Sequence, residues 1–133
     1  MNIKDTIDYL TVIVGNECIH TDIETKKYHA SDLFFSGLLP VAVIEPDTRE
    51  ILQKLIYICN MNNVAVIPRG AGLSYSAGYV QNQNNIKDFI LIDTRKLNKI
   101  IKYDPQNLTI TVESGCTWET IMVACQKDKL RVT

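Results

Sequence analysis

The sequence predicts an α+β fold: a small parallel βαβ sheet, then the start of an antiparallel sheet, with flanking helices. Three observations lead there. Two short, continuous apolar runs, PVAVIEP at 40–46 and VAVIP at 64–68, enclose one amphipathic helical pattern, as buried parallel strands joined by a crossover helix do. A third run, FILID at 89–93, has the same apolar character. After it, KIIKY and LTITVES flank DPQN, a strong turn signal, and the second of the two alternates with the period of a half-buried strand.

In chain order, Ile3, Ile7 and Leu10 recur at helical spacing, so a short amphipathic helix opens the chain and Gly15 ends it. ECIHTDIETKKYHASDLFF at 17–35 is mixed and polar, and is expected as loop with short helical or strand turns, closed by Gly37 and Pro40. The run at 40–46 is a buried strand. Asp47 or Thr48 caps the helix after it, Glu50 stands in the first turn, and Ile51, Leu52, Leu55, Ile56 and Cys59 make its apolar stripe. Asn62 and Asn63 end that helix. The strand–helix–strand unit is expected to be parallel and right-handed. The segment after Pro68 therefore leaves the carboxyl end of a parallel strand, where open α/β sheets place ligands.

VQNQNNIKD at 80–88 reads as polar and exposed. Gly115 ends the second antiparallel strand, and TWETIMVACQKDK at 117–129 is a helix capped by Thr117 with Trp118, Ile121, Met122 and Cys125 on one face. The basic cluster Arg95, Lys96, Lys99 and Lys102 is read as a solvated face without function.

Composition bounds the function. At 133 residues with 46% hydrophobic and 22% charged residues, the chain is one domain of ordinary globular make-up. A net charge of −1 gives no electrostatic case for a nucleic-acid or membrane partner. No apolar run reaches the roughly 20 residues of a membrane span, and the N-terminus lacks the features of a signal peptide. Cys18, Cys59, Cys116 and Cys125 form no C-x-x-C pair and read as reduced, buried thiols of a cytoplasmic protein, with disulfides left open only by the even count. His20 and His29 have no ligand-like spacing, so neither a metal site nor a catalytic histidine is expected.

The segment RGAGLSYSAG at 69–78 is the candidate site. A strand followed by almost nothing but small residues and hydroxyls is either a plain turn or a loop whose backbone lies against a ligand. Gly70, Ala71 and Gly72 would let successive N–H groups close around an anion. Ser74 and Ser76 offer hydroxyl donors, and Gly78 permits a second unusual backbone angle. Arg69 either assists the anion or salt-bridges a neighbouring loop.

The blocks PVAVIEPDTRE, VAVIPRGAGLSYSAG, FILIDTRKLNKI and LTITVESGCTW, in this order, resemble the FAD-binding (PCMH-type) domain of the vanillyl-alcohol oxidase / p-cresol methylhydroxylase superfamily, in particular the glycolate oxidase and D-lactate dehydrogenase branch of FAD-linked oxidases. The resemblance extends from about Ile13 to the end of the chain. It implies a lead-in at 1–39, a first subdomain at 40–93 carrying the pyrophosphate loop at 69–78, and the start of a second subdomain at 94–133, with the substrate domain absent from this chain.

The implied cofactor is FAD, held by Arg69, Gly70, Ala71, Gly72, Leu73, Ser74, Tyr75, Ser76 and Gly78, with a further contact at Gly115. Covalent attachment in this family uses a histidine after the glycines. Leu73 stands there, so the expectation is non-covalent binding at this loop. The implied parent reaction is oxidation of a small alcohol, a 2-hydroxy acid, by hydride transfer to flavin, and no catalytic residue for it stands in these residues. Two alternatives are a fragment of a flavoenzyme like UDP-N-acetylenolpyruvoylglucosamine reductase, whose Ser-Asn after the glycines this chain lacks, and a non-catalytic remnant with weak FAD binding or none. For the isolated chain the expectations are weak FAD binding and self-association through the unfinished second sheet. Gly72→Val is expected to block cofactor approach while leaving the fold largely intact.

Overall fold

A computed structural model describes residues 2–82 and 88–132. The elements are α1 (Ile3–Val14), a 3-10 turn (Asn16–Cys18), β1 (Ile19–His20), α2 (Ile23–His29), β2 (Ala42–Ile44), α3 (Arg49–Met61), β3 (Ala65–Arg69), β4 (Phe89–Asp93), β5 (Ile100–Asp104), β6 (Thr109–Val112) and α4 (Trp118–Gln126). Part of the polar stretch at 80–88 lies outside the described residues.

Each helix starts where a short polar side chain can take an unpaired N–H. Asn2 accepts from Asp5 N, Asp22 from Thr25 N, Thr48 from Ile51 N and Thr117 from Thr120 N. Thr48, rather than Asp47, is the cap of α3. That helix ends at Asn62, and Asn63 follows with φ +53°, the left-handed conformation that asparagine tolerates better than most residues.

The first sheet has the order β1-β2-β4-β3. β2 and β3 both run parallel to β4, so the crossover through α3 skips one position and β4 fills the gap between its two strands. β1 pairs antiparallel with β2, an edge hidden in the polar lead-in, and the first sheet is therefore mixed rather than purely parallel. β5 and β6 form the expected antiparallel pair, closed by a turn in which Asp104 accepts from Asn107 N.

Strand alternation sorts the core. Ile44, Ile90 and Ile92 face α1 and α3 and pack with Leu10, Val14, Leu55, Ile58 and Cys59. Val43, Ile67, Phe89 and Leu91 face the other way and pack with Tyr79 and Val80. Two apolar faces are thus rotated slightly from those expected. On α3, Leu55, Ile58 and Cys59 are buried while Ile56 is exposed. On α4, Ile121 and Cys125 are buried while Trp118 is 66% exposed and Met122 is exposed too.

Candidate functional site

The alternation that builds the second core face also builds the floor of the site. Ala65, Ile67 and Arg69 of β3 share a face, as do Phe89, Leu91 and Asp93 of β4, and the register pairs Arg69 with Asp93. The last residue of each strand is thus charged, and both are buried, Arg69 to 4% and Asp93 to 1% exposure. Arg69 Nη1 lies 3.4 Å from Asp93 Oδ2. The guanidinium carbon sits 5.3 Å from the ring centres of both Tyr28 and Tyr79, within cation–π range.

Two further groups converge on Asp93. Arg95 donates from Nε to Asp93 Oδ2 at 2.8 Å and from its backbone N–H to Oδ1 at 3.0 Å, and its Nη2 lies 2.7 Å from Oδ2 as an ion pair. His29, at the end of α2, has both ring nitrogens facing acceptors, Thr25 O and Asp93 Oδ2, each at 2.9 Å. Burial raises the Asp93 pKa, but the hydrogen bonds from His29 and Arg95 and the Arg95 charge outweigh it and hold the carboxyl well below the usual carboxylate range. Arg95 is therefore not part of a free solvated face, and neither is Lys96, whose ammonium sits 3.0 Å from Glu45. Ligand atoms of His29, Glu45 and Asp93 lie within 4.8 Å of one another, but the two carboxylates are already paired with these cations.

The candidate loop begins directly above this floor, at the carboxyl end of β3. Gly72 has φ +82°. A Cβ placed on it would run into Arg69 Nη2 and lie 2.7 Å from Arg69 Cζ. Glycine is thus favoured at 72 by its backbone angle, and any side chain there would also have to displace the guanidinium beneath. The expectation that Gly72→Val leaves the fold intact is corrected by this contact. Gly70 is the opposite case: a Cβ there meets nothing within 4 Å. Among the described residues, the backbone N–H groups of residues 70–76 make no hydrogen bond.

The far half of the loop is tied to itself. Ser74 Oγ accepts from Gly78 N at 2.9 Å, and Val80 N donates to Ala77 O at 2.9 Å. The second unusual backbone angle falls on Ala77, φ +51°, and not on Gly78. Tyr79 Oη lies 2.8 Å from Gly72 O and 3.0 Å from Ser31 O, which pins the middle of the loop to the segment after α2. Leu73, Tyr75 and Ser76 project outward, and Tyr75 is fully exposed.

Open grooves flank the loop. One of about 590 Å³ runs between Ala71 and the Ser114–Trp118 turn. Another of about 660 Å³ passes Gly70, Thr94 and Ser114. Gly115 lines the first of these grooves, but packing already accounts for its lack of a side chain. A Cβ there would strike Thr94 O and lie 2.8 Å from Arg95 Cα and Leu97 O, and its N–H donates to Leu97 O at 2.7 Å.

Sequence reasoning missed the His29–Asp93–Arg95 network. The available signal was an aspartate ending a wholly buried strand, which must find partners.

Comparison with known proteins identifies the domain. A family profile described as "FAD binding domain" matches residues 40–133. The mitochondrial D-lactate dehydrogenase [cytochrome] 1 of Saccharomyces cerevisiae is 28% identical over 129 residues, 91% of this chain and 22% of that protein. The mitochondrial D-2-hydroxyglutarate dehydrogenase of Arabidopsis thaliana is 24% identical over 117 residues, 86% of this chain and 20% of that protein. The structure of p-cresol methylhydroxylase with substrate bound superposes with a TM-score of 0.80 at 20% identity, covering 96% of this chain and 25% of that one. The chain thus spans about a quarter or less of the length of these relatives. Among the described residues, no helix is long and apolar enough to cross a membrane.

Proposed function

The chain belongs to the FAD binding domain family, and from that premise we propose that residues 70–76 bind the FAD pyrophosphate through their backbone N–H groups. The observation that carries this is the run of N–H groups without internal partners, beside a glycine whose Cβ direction is open. An anion whose oxygens each need donors fits such a strip, because the donors cost little to organise and no side chain holds the phosphate away. Ser74 keeps a hydroxyl hydrogen to donate while accepting from Gly78 N, and Ser76 is exposed beside it. Leu73 carries no nucleophile, so the cofactor is held non-covalently at this loop. The groove between Ala71 and the Ser114–Trp118 turn carries the cofactor toward the 94–133 subdomain.

When bound, FAD would supply a hydride acceptor for oxidation of a small alcohol by the protein that contains this domain. The names of the relatives, a D-lactate and a D-2-hydroxyglutarate dehydrogenase, support a 2-hydroxy acid as that alcohol. These residues orient the cofactor and supply no acid or base to the substrate. The free state of Cys18, Cys59, Cys116 and Cys125 agrees with a reducing compartment such as the cytoplasm.

Gly70→Val tests the reading. The substitution meets open space in the protein and projects where the phosphate would approach. Thermal stability is expected to stay near that of the parent, while FAD affinity falls by at least about tenfold, because small displacements of a bound group are costly. Unchanged flavin content in Gly70→Val would remove the loop from the site.

A further inference from the structure

We propose that Arg69 is a positioning residue: a buried, charge-neutralised post that holds the loop in its binding shape without touching the cofactor. The inference rests on the pyrophosphate reading of residues 70–76. An arginine beside a phosphate loop would ordinarily be assigned to the phosphate, since its fork suits such anions. Here the fork faces the other way. Its Nη1 points to Asp93, its central carbon lies 5.3 Å from the ring centres of both Tyr28 and Tyr79, and Gly72 covers Nη2, Cζ and Nε so closely that a methyl group there would have to push the guanidinium aside. Nε itself is buried without a hydrogen-bond partner.

Asp93 is fixed in turn by His29 and Arg95, and Tyr79, one of the two rings around the guanidinium, lies within hydrogen-bond distance of Gly72 O. Floor and loop are thus joined at Gly72 from two directions. The left-handed turn at Gly72, which sets the direction of the N–H strip after it, rests on Arg69. Lysine in this position would keep the charge and could still meet Asp93. It would lose the planar group under Gly72 and near the two rings.

The experiment compares Arg69→Lys, Arg69→Met and Gly70→Val with the parent protein by two readouts: FAD affinity, and the rate of chymotryptic cleavage after the fully exposed Tyr75 in FAD-free protein. A post predicts that lysine does not rescue. Both Arg69 variants bind FAD about tenfold or more weakly, and both are cleaved several-fold faster, as expected when a loop opens more often. A direct phosphate ligand predicts that Arg69→Lys keeps most of the affinity and that cleavage of the FAD-free loop is unchanged in both variants, and that result would overturn the proposal. Arg69→Lys keeps an ion pair for Asp93 and serves as the folded variant if Arg69→Met does not accumulate. Loss of FAD in Gly70→Val together with parent-like Arg69 variants rejects the post alone. Parent-like FAD binding in Gly70→Val rejects the loop itself.

Discussion

Asp93→Ala is expected to cost about 3–5 kcal/mol of folding stability, the range seen when one partner of a buried ion pair is removed. The carboxylate is 1% exposed and holds Arg69, His29 and Arg95 together. Its removal leaves the Arg69 guanidinium buried, at 4% exposure, without a counter-charge. That loss is comparable with the whole stability of a small domain, so the variant should be largely unfolded or insoluble at 37 °C, and denaturant titration of the soluble fraction is the check. A loss below about 1 kcal/mol would mean that the network is not held as described.

The same carboxyl makes an acid-side prediction. Its folded pKa lies below the unfolded value, so its stabilisation is fully present above about pH 4 and is lost as pH falls toward the folded pKa. Asp93→Asn should flatten the acid limb of a stability–pH curve in the parent protein. An unchanged slope would assign acid lability to other carboxylates.

Gly115→Ala is expected to be the second severe change, at about 2–3 kcal/mol, toward the upper end for overpacking. Its methyl group would meet backbone, Thr94 O and Leu97 O together with Arg95 Cα, which no side-chain rotation can relieve. The 94–97 and 113–116 segments would have to separate, breaking the bond from Gly115 N to Leu97 O. Gly70→Ala is the matched control, since it meets nothing and no left-handed angle is required there. It should be neutral or slightly stabilising, by about 0.4–1 kcal/mol at most. Equal melting temperatures for the two alanine variants would contradict the packing assigned to Gly115.

The elements that were legible in the sequence are those whose signal is local. The βαβ pattern, the DPQN turn and the Thr117 cap each depend on residues within one or two turns of chain, and each stands where expected. What was hidden depends on register. Nothing within FILID or IPRG says that β4 inserts beside β3, yet that insertion pairs Asp93 with Arg69. His29 lies 64 positions from Asp93, so no spacing rule could join them. The two-residue strand β1 is too short to show a period. On α4, Trp118 fits a helical stripe by spacing, but the described residues bury only Ile121 and Cys125. For the loop, composition singled out a run of small residues, while the different surroundings of its glycines emerged only from the fold. Gly70 leaves space, and Gly72 fits over a guanidinium.

The central claim is that the backbone of residues 70–76 holds the FAD pyrophosphate, and the most direct measurement is a crystal structure of the protein with FAD bound. The account predicts pyrophosphate oxygens about 2.7–3.2 Å from N–H groups of residues 70–76, with Arg69 still facing Asp93 beneath Gly72. Pyrophosphate bound elsewhere, or Arg69 swung out to meet it, would contradict it.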